Sequence, residues 1–253
     1  MARQGLTPTG PALVALAGLL LSGCAGSTYS WGWYVVSPAD PRGRKNLTFL
    51  AEGIWSTVGI SALSVAISVL AGIAIALLAL SRYRVLRAAN RVYVECVRAI
   101  PLLVLLLWVY YGLPIVFGLE FGVFTAGVIT LALSDSAFQA EIFRAGIQAV
   151  PRGQIEAAQA LGLRPRHVMR HIILPQAIRR ILPALGNQFI YVLKMSSLIS
   201  VVGLQELTRR ANELTIVEYR PLEIYTALVL EYLALILVVS WLVRRLERRL
   251  AAG

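Results

Sequence analysis

The sequence predicts an all-α polytopic membrane protein of about five transmembrane helices, on three observations. Of its 253 residues, 58% are hydrophobic and only 15% are charged, with a mean hydropathy of +0.71. A soluble domain of similar size carries nearer a quarter charged residues. Several apolar stretches approach the ~20 residues that cross a hydrocarbon layer about 30 Å thick. The net charge of +11 comes almost wholly from arginines flanking those stretches. Charge so placed fits the positive-inside rule and not the single basic face of a nucleic-acid-binding domain.

Residues 1–24 are expected to form a short apolar leader or extra helix. The apolar run from Ala12 to about Ala25 is roughly 14 residues long, short for a span and suited to a signal h-region, with Arg3 as a weak basic flank. Leu21-Ser22-Gly23-Cys24 resembles a bacterial lipobox, in which the cysteine is lipidated. A lipidated Cys24, an uncleaved helix and a misassigned start all remain readings of this stretch. Residues 25–50 are expected outside, and Tyr29–Asn46, with Trp31, Trp33, Pro38 and Pro41, reads as a polar connection lying against a membrane face.

Residues 51–250 carry the transmembrane domain. Four spans are read at Ile54–Leu80, Leu102–Leu119, Gly122–Phe138 and Leu222–Val243, and a fifth, more polar one at Ala184–Leu204. The loop after the first span holds Arg82, Arg84, Arg87 and Arg91. The connection at 144–180 holds Arg144, Arg152, Arg164, Arg166, Arg170, Arg179 and Arg180, and the C-terminus holds Arg244, Arg245, Arg248 and Arg249. A five-span path places these fifteen charges on one side, against six on the other. The richer side is read as cytoplasmic, with the N-terminus outside and the C-terminus inside.

Other chemistry is sparse. Cys24 and Cys96 are the only cysteines, which indicates neither a disulfide framework nor a zinc site. His167 and His171 share a helix face with no carboxylate or cysteine to complete a metal site, so they read as solvated. Glu95 and Arg98, at i and i+3, suggest a local ion pair at the entry to the second span. No G-x-x-x-x-G-K-[ST] phosphate loop occurs, so the chain is not expected to hydrolyse ATP through such a site.

The most informative stretch is EAAQALGLRPRHVMRHIILP, Glu156 to Pro175. Gln154–Leu161 reads as a short alanine-rich helix, Gly162 as its left-handed stop, and Pro165 as the first turn of a second helix. Val168, Ile172 and Ile173 give that helix an apolar stripe, and Pro175 and Pro183 are expected to punctuate the way back to the membrane. An amphipathic hairpin lying on anionic lipid and a docking element, whose alanine face and tight turn admit another protein closely, both fit.

Glu156-Ala157-Ala158, Gly162, Ile172 and Leu174-Pro175 match, in residues and spacing, the "EAA" motif of bacterial ABC-importer permeases. The flanks Ala140-Glu141-Ile142-Phe143-Arg144, Val150-Pro151-Arg152-Gly153-Gln154, Leu185-Gly186-Asn187-Gln188-Phe189 and Arg220-Pro221-Leu222-Glu223-Ile224-Tyr225 resemble the polar amino acid branch. The similarity runs from about Leu47 to Leu250. It implies a type I importer permease fold, with the N-terminus outside and five spans. It also implies a coupling helix around Glu156, Ala157, Ala158 and Gly162 that sits in a groove of a separate ATPase dimer.

That resemblance implies a non-catalytic transmembrane subunit of an ATP-driven importer in a bacterial cytoplasmic membrane. No cofactor is expected in this chain, because ATP and Mg would be bound by the partner ATPase. An external substrate-binding protein, a second permease copy or paralogue, and an amino acid substrate complete the implied set. Another solute such as an opine or osmolyte, or a transporter or scaffold working without ATP, are the alternatives. Secondary transporters generally show paired repeats with broken helices, and none is evident.

Ionisable residues inside a membrane each cost about 2.5–3.5 kcal/mol on insertion scales and call for a partner or a function. Asn187, Tyr191, Lys194 and Ser197 recur at steps of four, three and three, on one helix face. Asp135 and Glu231 lie in the third and last spans. These six residues read either as a substrate path or, for Lys194 with Asp135 or Glu231, as a neutralising charge pair. Met195, where the family usually has an acidic or amide residue, Ala99-Ile100-Pro101 for Gly-Thr-Pro, and Leu105 for a frequent glutamine make this path less polar than usual.

Overall fold

The computed structural model describes residues 29–251. Cys24 and the rest of the expected leader lie outside the described residues. The described residues fall into two units, divided between Trp33 and Tyr34. In the first, Tyr29 meets Trp31 edge-on at 5.3 Å between ring centroids, and Trp31 stacks on Trp33 at 5.5 Å.

The second unit begins its first long helix, α1 (Pro41–Ala79), at a strong local signal. The Asp40 carboxylate accepts from the Arg42 amide at 2.8 Å and Pro41 occupies the first turn. Residues 41–50, expected in the external connection, therefore belong to the helix. At 1.5 Å per residue α1 is about 58 Å long, well beyond one bilayer core.

α2 (Arg84–Ala99) follows, where the sequence suggested an arginine-rich loop. It docks on its neighbours through the Asn90 amide donating to Ile75 O at 2.9 Å and the Tyr93–Ser136 hydroxyl contact at 2.7 Å. Arg98 does not pair with Glu95 as its spacing suggested; its guanidinium lies over the Phe138 ring, 4.9 Å from the centroid. The chain then turns by 97° into α3 (Leu102–Phe117). This is the expected second span, and it stays short, about 24 Å.

α4 (Val123–Gln148) is the central helix, with 61% of its most apolar stretch buried. It crosses α1 along a stripe of small residues, Thr57, Ser61, Ser64, Ser68, Gly72 and Ala76. Such residues let membrane helices approach closely, and the hydroxyls of Thr57, Ser61 and Ser68 bond back to their own helix, as Ser61 Oγ does to Thr57 O at 2.7 Å. Closest of all is Gly72, where an added Cβ would lie 2.4 Å from Gln139 Cβ and 3.1 Å from the Ala140 amide nitrogen. Gly72→Ala is therefore expected to cost about 1–3 kcal/mol by overpacking, read as a lowered thermal-unfolding midpoint.

α5 (Arg152–Ala160) and α6 (Pro165–Val202) form the hairpin and the next span. The expected break at Pro175 and Pro183 does not occur: α6 is continuous. A π-turn, Met169–Ile173, ends two residues before Pro175, and another in α3, Trp108–Gly112, ends two before Pro114. The wider turn accommodates a proline whose ring would otherwise clash with the preceding turn of an α-helix. Gly203, at φ +99, then reverses the chain into α7 (Leu207–Glu218).

α7 is too short to span. Its start is capped by Glu206, which accepts from the Arg209 amide at 2.8 Å, and Arg42–Glu218 (2.6 Å) and Arg210–Glu52 (2.7 Å) ion pairs tie it to the beginning of α1. α8 (Pro221–Ala251) is the last span. Among the described residues, four helices are long and apolar enough to cross a membrane, or five if the bent α2–α3 pair is one span, against about five expected.

Candidate functional site

The hairpin is built from its turn. α5 starts at Arg152, two residues before the expected Gln154. It ends in a double-bonded left-handed cap, with Gly162 N donating to Gln159 O at 2.9 Å and Leu163 N to Ala158 O at 3.1 Å. Gly162 holds φ +76, a conformation that glycine adopts without a Cβ penalty. Arg164 and Pro165 open α6 as the sequence indicated.

The structure divides the motif residues into two groups. Ala158 is 2% exposed and packs in a cluster with Val150, Val168, Ile173, Ala177 and Ile181, so it joins α5 to α6 and offers no surface. Glu156, Ala157, Leu174 and Pro175 are exposed. So is Leu161, which is 81% exposed at the tip beside Gly162 and which sequence reading passed over. Its signal was a leucine left beyond the end of an apolar stripe already satisfied. At the base, the Arg180 guanidinium donates to Ala149 O, the last carbonyl region of α4, where a cation also meets the negative end of the helix dipole. A rigid scaffold thus presents a small apolar tip.

The second cluster lies mid-span. Asp135 is 3% exposed and accepts from Ser68 Oγ, from Gln139 Nε2 at 3.0 Å and from Gln188 Nε2 at 2.6 Å. Among the described residues neither Asp135 nor Glu231 forms an ion pair with Lys194. The charge-pair reading is thus corrected: three uncharged donors, not a cation, satisfy the aspartate. Gln188 and Ser68 were not singled out from sequence, although Gln139 stands four residues from Asp135, where helical side chains meet.

Lys194 instead faces outward with Asn187 and Tyr191, and Tyr191 leans on Phe138 at 6.2 Å between ring centroids. Lys194, Ser197, Thr208, Tyr232 and Ile236 line an open recess of about 280 Å³. The Lys194 ammonium, with no carboxylate bonded to it among the described residues, makes it suited to an oxyanion such as a carboxylate, whereas the Ser197 hydroxyl is spent on Lys194 O at 2.8 Å. Tyr232 is held there by donating to the fully buried Glu206 carboxylate at 2.8 Å, a support that sequence reading missed. Glu231 is half-buried on α8, and its Oε2 has no hydrogen-bond partner among the described residues. The His167 and His171 rings stack at 5.8 Å, both exposed. No group of three or more His, Cys, Asp or Glu able to hold a metal ion occurs among the described residues.

The profile of a family described as "binding-protein-dependent transport system inner membrane component" matches residues 48–252. The chain belongs to that family. The permease is 39% identical over 223 residues to the glutamine transport system permease protein GlnP of Escherichia coli K12, covering 86% of this chain and 97% of the relative. It is 38% identical over 205 residues to the probable glutamine ABC transporter permease protein GlnM of Bacillus subtilis, covering 81% and 94%. A solved amino acid ABC transporter with histidines superposes with a TM-score of 0.77 at 44% identity, over 81% of this permease and 96% of that chain. The MetNI methionine ABC transporter, inward facing, shares the fold at a TM-score of 0.67 and 23% identity, over 80% and 96%. The fold and the EAA-motif resemblance thus agree: this is a multi-pass transport subunit of the type I permease kind.

Proposed function

We propose that this permease forms the translocation pathway of a bacterial ATP-driven importer for polar amino acids, in the cytoplasmic membrane with the hairpin inside. The observation that carries the reading is the rigid hairpin whose exposed Ala157 and Leu161 leave a small apolar surface free, on a chain with no phosphate loop of its own. A separate ATPase dimer, binding ATP and Mg, takes that tip. An external binding protein delivers the solute, and a second permease copy or paralogue completes the path. ATP binding draws the two hairpins together and opens the path outward, and hydrolysis resets it.

The substrate class is supported by the names of the relatives and by the recess at Lys194, where a single cation fits an α-carboxylate. Vesicle uptake with the cognate ATPase and binding protein tests it. Lys194→Gln is expected to reduce amino acid uptake by about tenfold or more, as loss of a charge-assisted contact of 1.5–3 kcal/mol requires, with protein abundance unchanged. Unchanged uptake refutes the assignment of the recess. A second reading, another small solute such as an opine or osmolyte, draws on the departures at Met195 and Leu105, and ligand binding by the partner binding protein separates the two. Uptake that persists without the ATPase would overturn the ATP-driven reading altogether.

A further inference from the structure

On α2 three kinds of side chain fall on three separate faces. Asn90, Val94 and the partly buried Tyr93 and Val97 face the bundle. Val85, Ala89, Val92, Cys96 and Ala99, at steps of four, three, four and three, form an exposed apolar stripe, with Val85 78% and Val92 60% exposed. Arg87, Arg91, Glu95 and Arg98 make the third face. Since α2 stands at 97° to α3, an α3 that crosses the bilayer leaves α2 along its surface, with the apolar stripe toward lipid.

The charged face of α2 does not open freely to water. With Glu141 and Arg144 of α4 it encloses a pocket of about 450 Å³. Four guanidinium groups there meet two carboxylates, and Glu141 is already matched by Arg144 at 2.5 Å. Arg87 is fixed by donating to Ser81 O and Arg82 O, both at 2.9 Å, which keeps its charge at the rim. Arg91 and Arg98 have no carboxylate bonded to them among the described residues, so the pocket is net positive.

We propose that this pocket between α2 and α4 binds the phosphodiester headgroup of an anionic phospholipid. The leaflet it draws from rests on the orientation given above, with the hairpin inside; the chemistry of the pocket does not. Basic pockets between helices at the inner face attract such lipids with roughly a fivefold gain per arginine. The lipid would hold α2 against α4 at the end of α4 that leads into the hairpin.

The test uses the full-length chain with the subunits that co-purify, delipidated in neutral detergent and followed by native mass spectrometry. Short-chain phosphatidylglycerol is expected to bind about tenfold more tightly than phosphatidylcholine. Arg91→Gln with Arg98→Gln should remove that preference, whereas Glu95→Gln, which deletes a negative charge, should strengthen it a few-fold. All three side chains are exposed, and the thermal-unfolding midpoint checks that the fold is kept. Equal binding of the two lipids, or indifference to these substitutions, overturns the proposal. So does saturation by millimolar inorganic phosphate that displaces the lipid, which would make the pocket a site for a free oxyanion. Labelling of Cys96 by an impermeant maleimide in intact cells would overturn the orientation alone, since the titration in detergent decides the pocket separately.

Discussion

Asp135→Ala is expected to lower the stability of the permease by about 2–4 kcal/mol, the largest effect of any single polar substitution in the spans. The aspartate is the common acceptor for three donors from three helices. Ser68 keeps an alternative, since its hydroxyl also reaches Val65 O at 3.0 Å. The fully buried Gln139 and the partly buried Gln188 do not, and an orphaned buried amide costs about 1–3 kcal/mol, less where some exposure is kept. Against a net stability of about 5–15 kcal/mol, that loss shows as a lower unfolding midpoint and less protein in the membrane. Asp135→Asn keeps the size and one acceptor oxygen, and the Gln188 amide can turn to meet the new donor. It should therefore recover most of the stability and, because the 3% exposed aspartate is shielded from a passing solute, most of the uptake. An Asn variant with normal abundance and no uptake would instead make Asp135 a contact of the solute.

The contrast between this network and its sequence reading shows which information is local. Hydropathy over about 20 residues is local, so the spans were legible. The Gly162 stop and the Pro165 start were legible for the same reason, because left-handed backbone and a missing N–H restrict single positions. α2 was hidden because arginines every few residues resemble a loop, although its Asn90, Tyr93, Val94 and Val97 stripe carries a helical period. The continuity of α6 through Pro175 was not legible: a penalty for proline presumes α-geometry, and the preceding π-turn removes the clash. Pairing Asp135 with Lys194 matched charges by sign, whereas burial selects whichever donors the packing brings close. The two glutamines were nearer.

Ala157→Trp and Ala158→Trp are expected to fail for opposite reasons, and the difference locates the coupling surface. Ala157 is exposed on α5, so tryptophan there leaves the unfolding midpoint unchanged. If the ATPase grips this face, the ring blocks close approach of the two backbones and should cut ATPase co-purification and uptake together by about 30-fold, the loss of one interface hot spot of about 2 kcal/mol. Leu161→Asp at the exposed tip should act in the same way, by placing a charge where an apolar side chain would be buried. Ala158 is 2% exposed among Val150, Val168 and Ile173, and a large ring there displaces α5 from α6 at a cost of about 1–3 kcal/mol or more. Uptake then falls with abundance and with the unfolding midpoint. A permease that carries tryptophan at 157 and aspartate at 161 and still couples ATP hydrolysis to uptake would place the coupling contact elsewhere. The exposed basic part of the hairpin includes the turn at Arg164–His167 and the stacked His167–His171 pair. There recognition would run through charge, and it would weaken with salt, as contact through the alanine face would not.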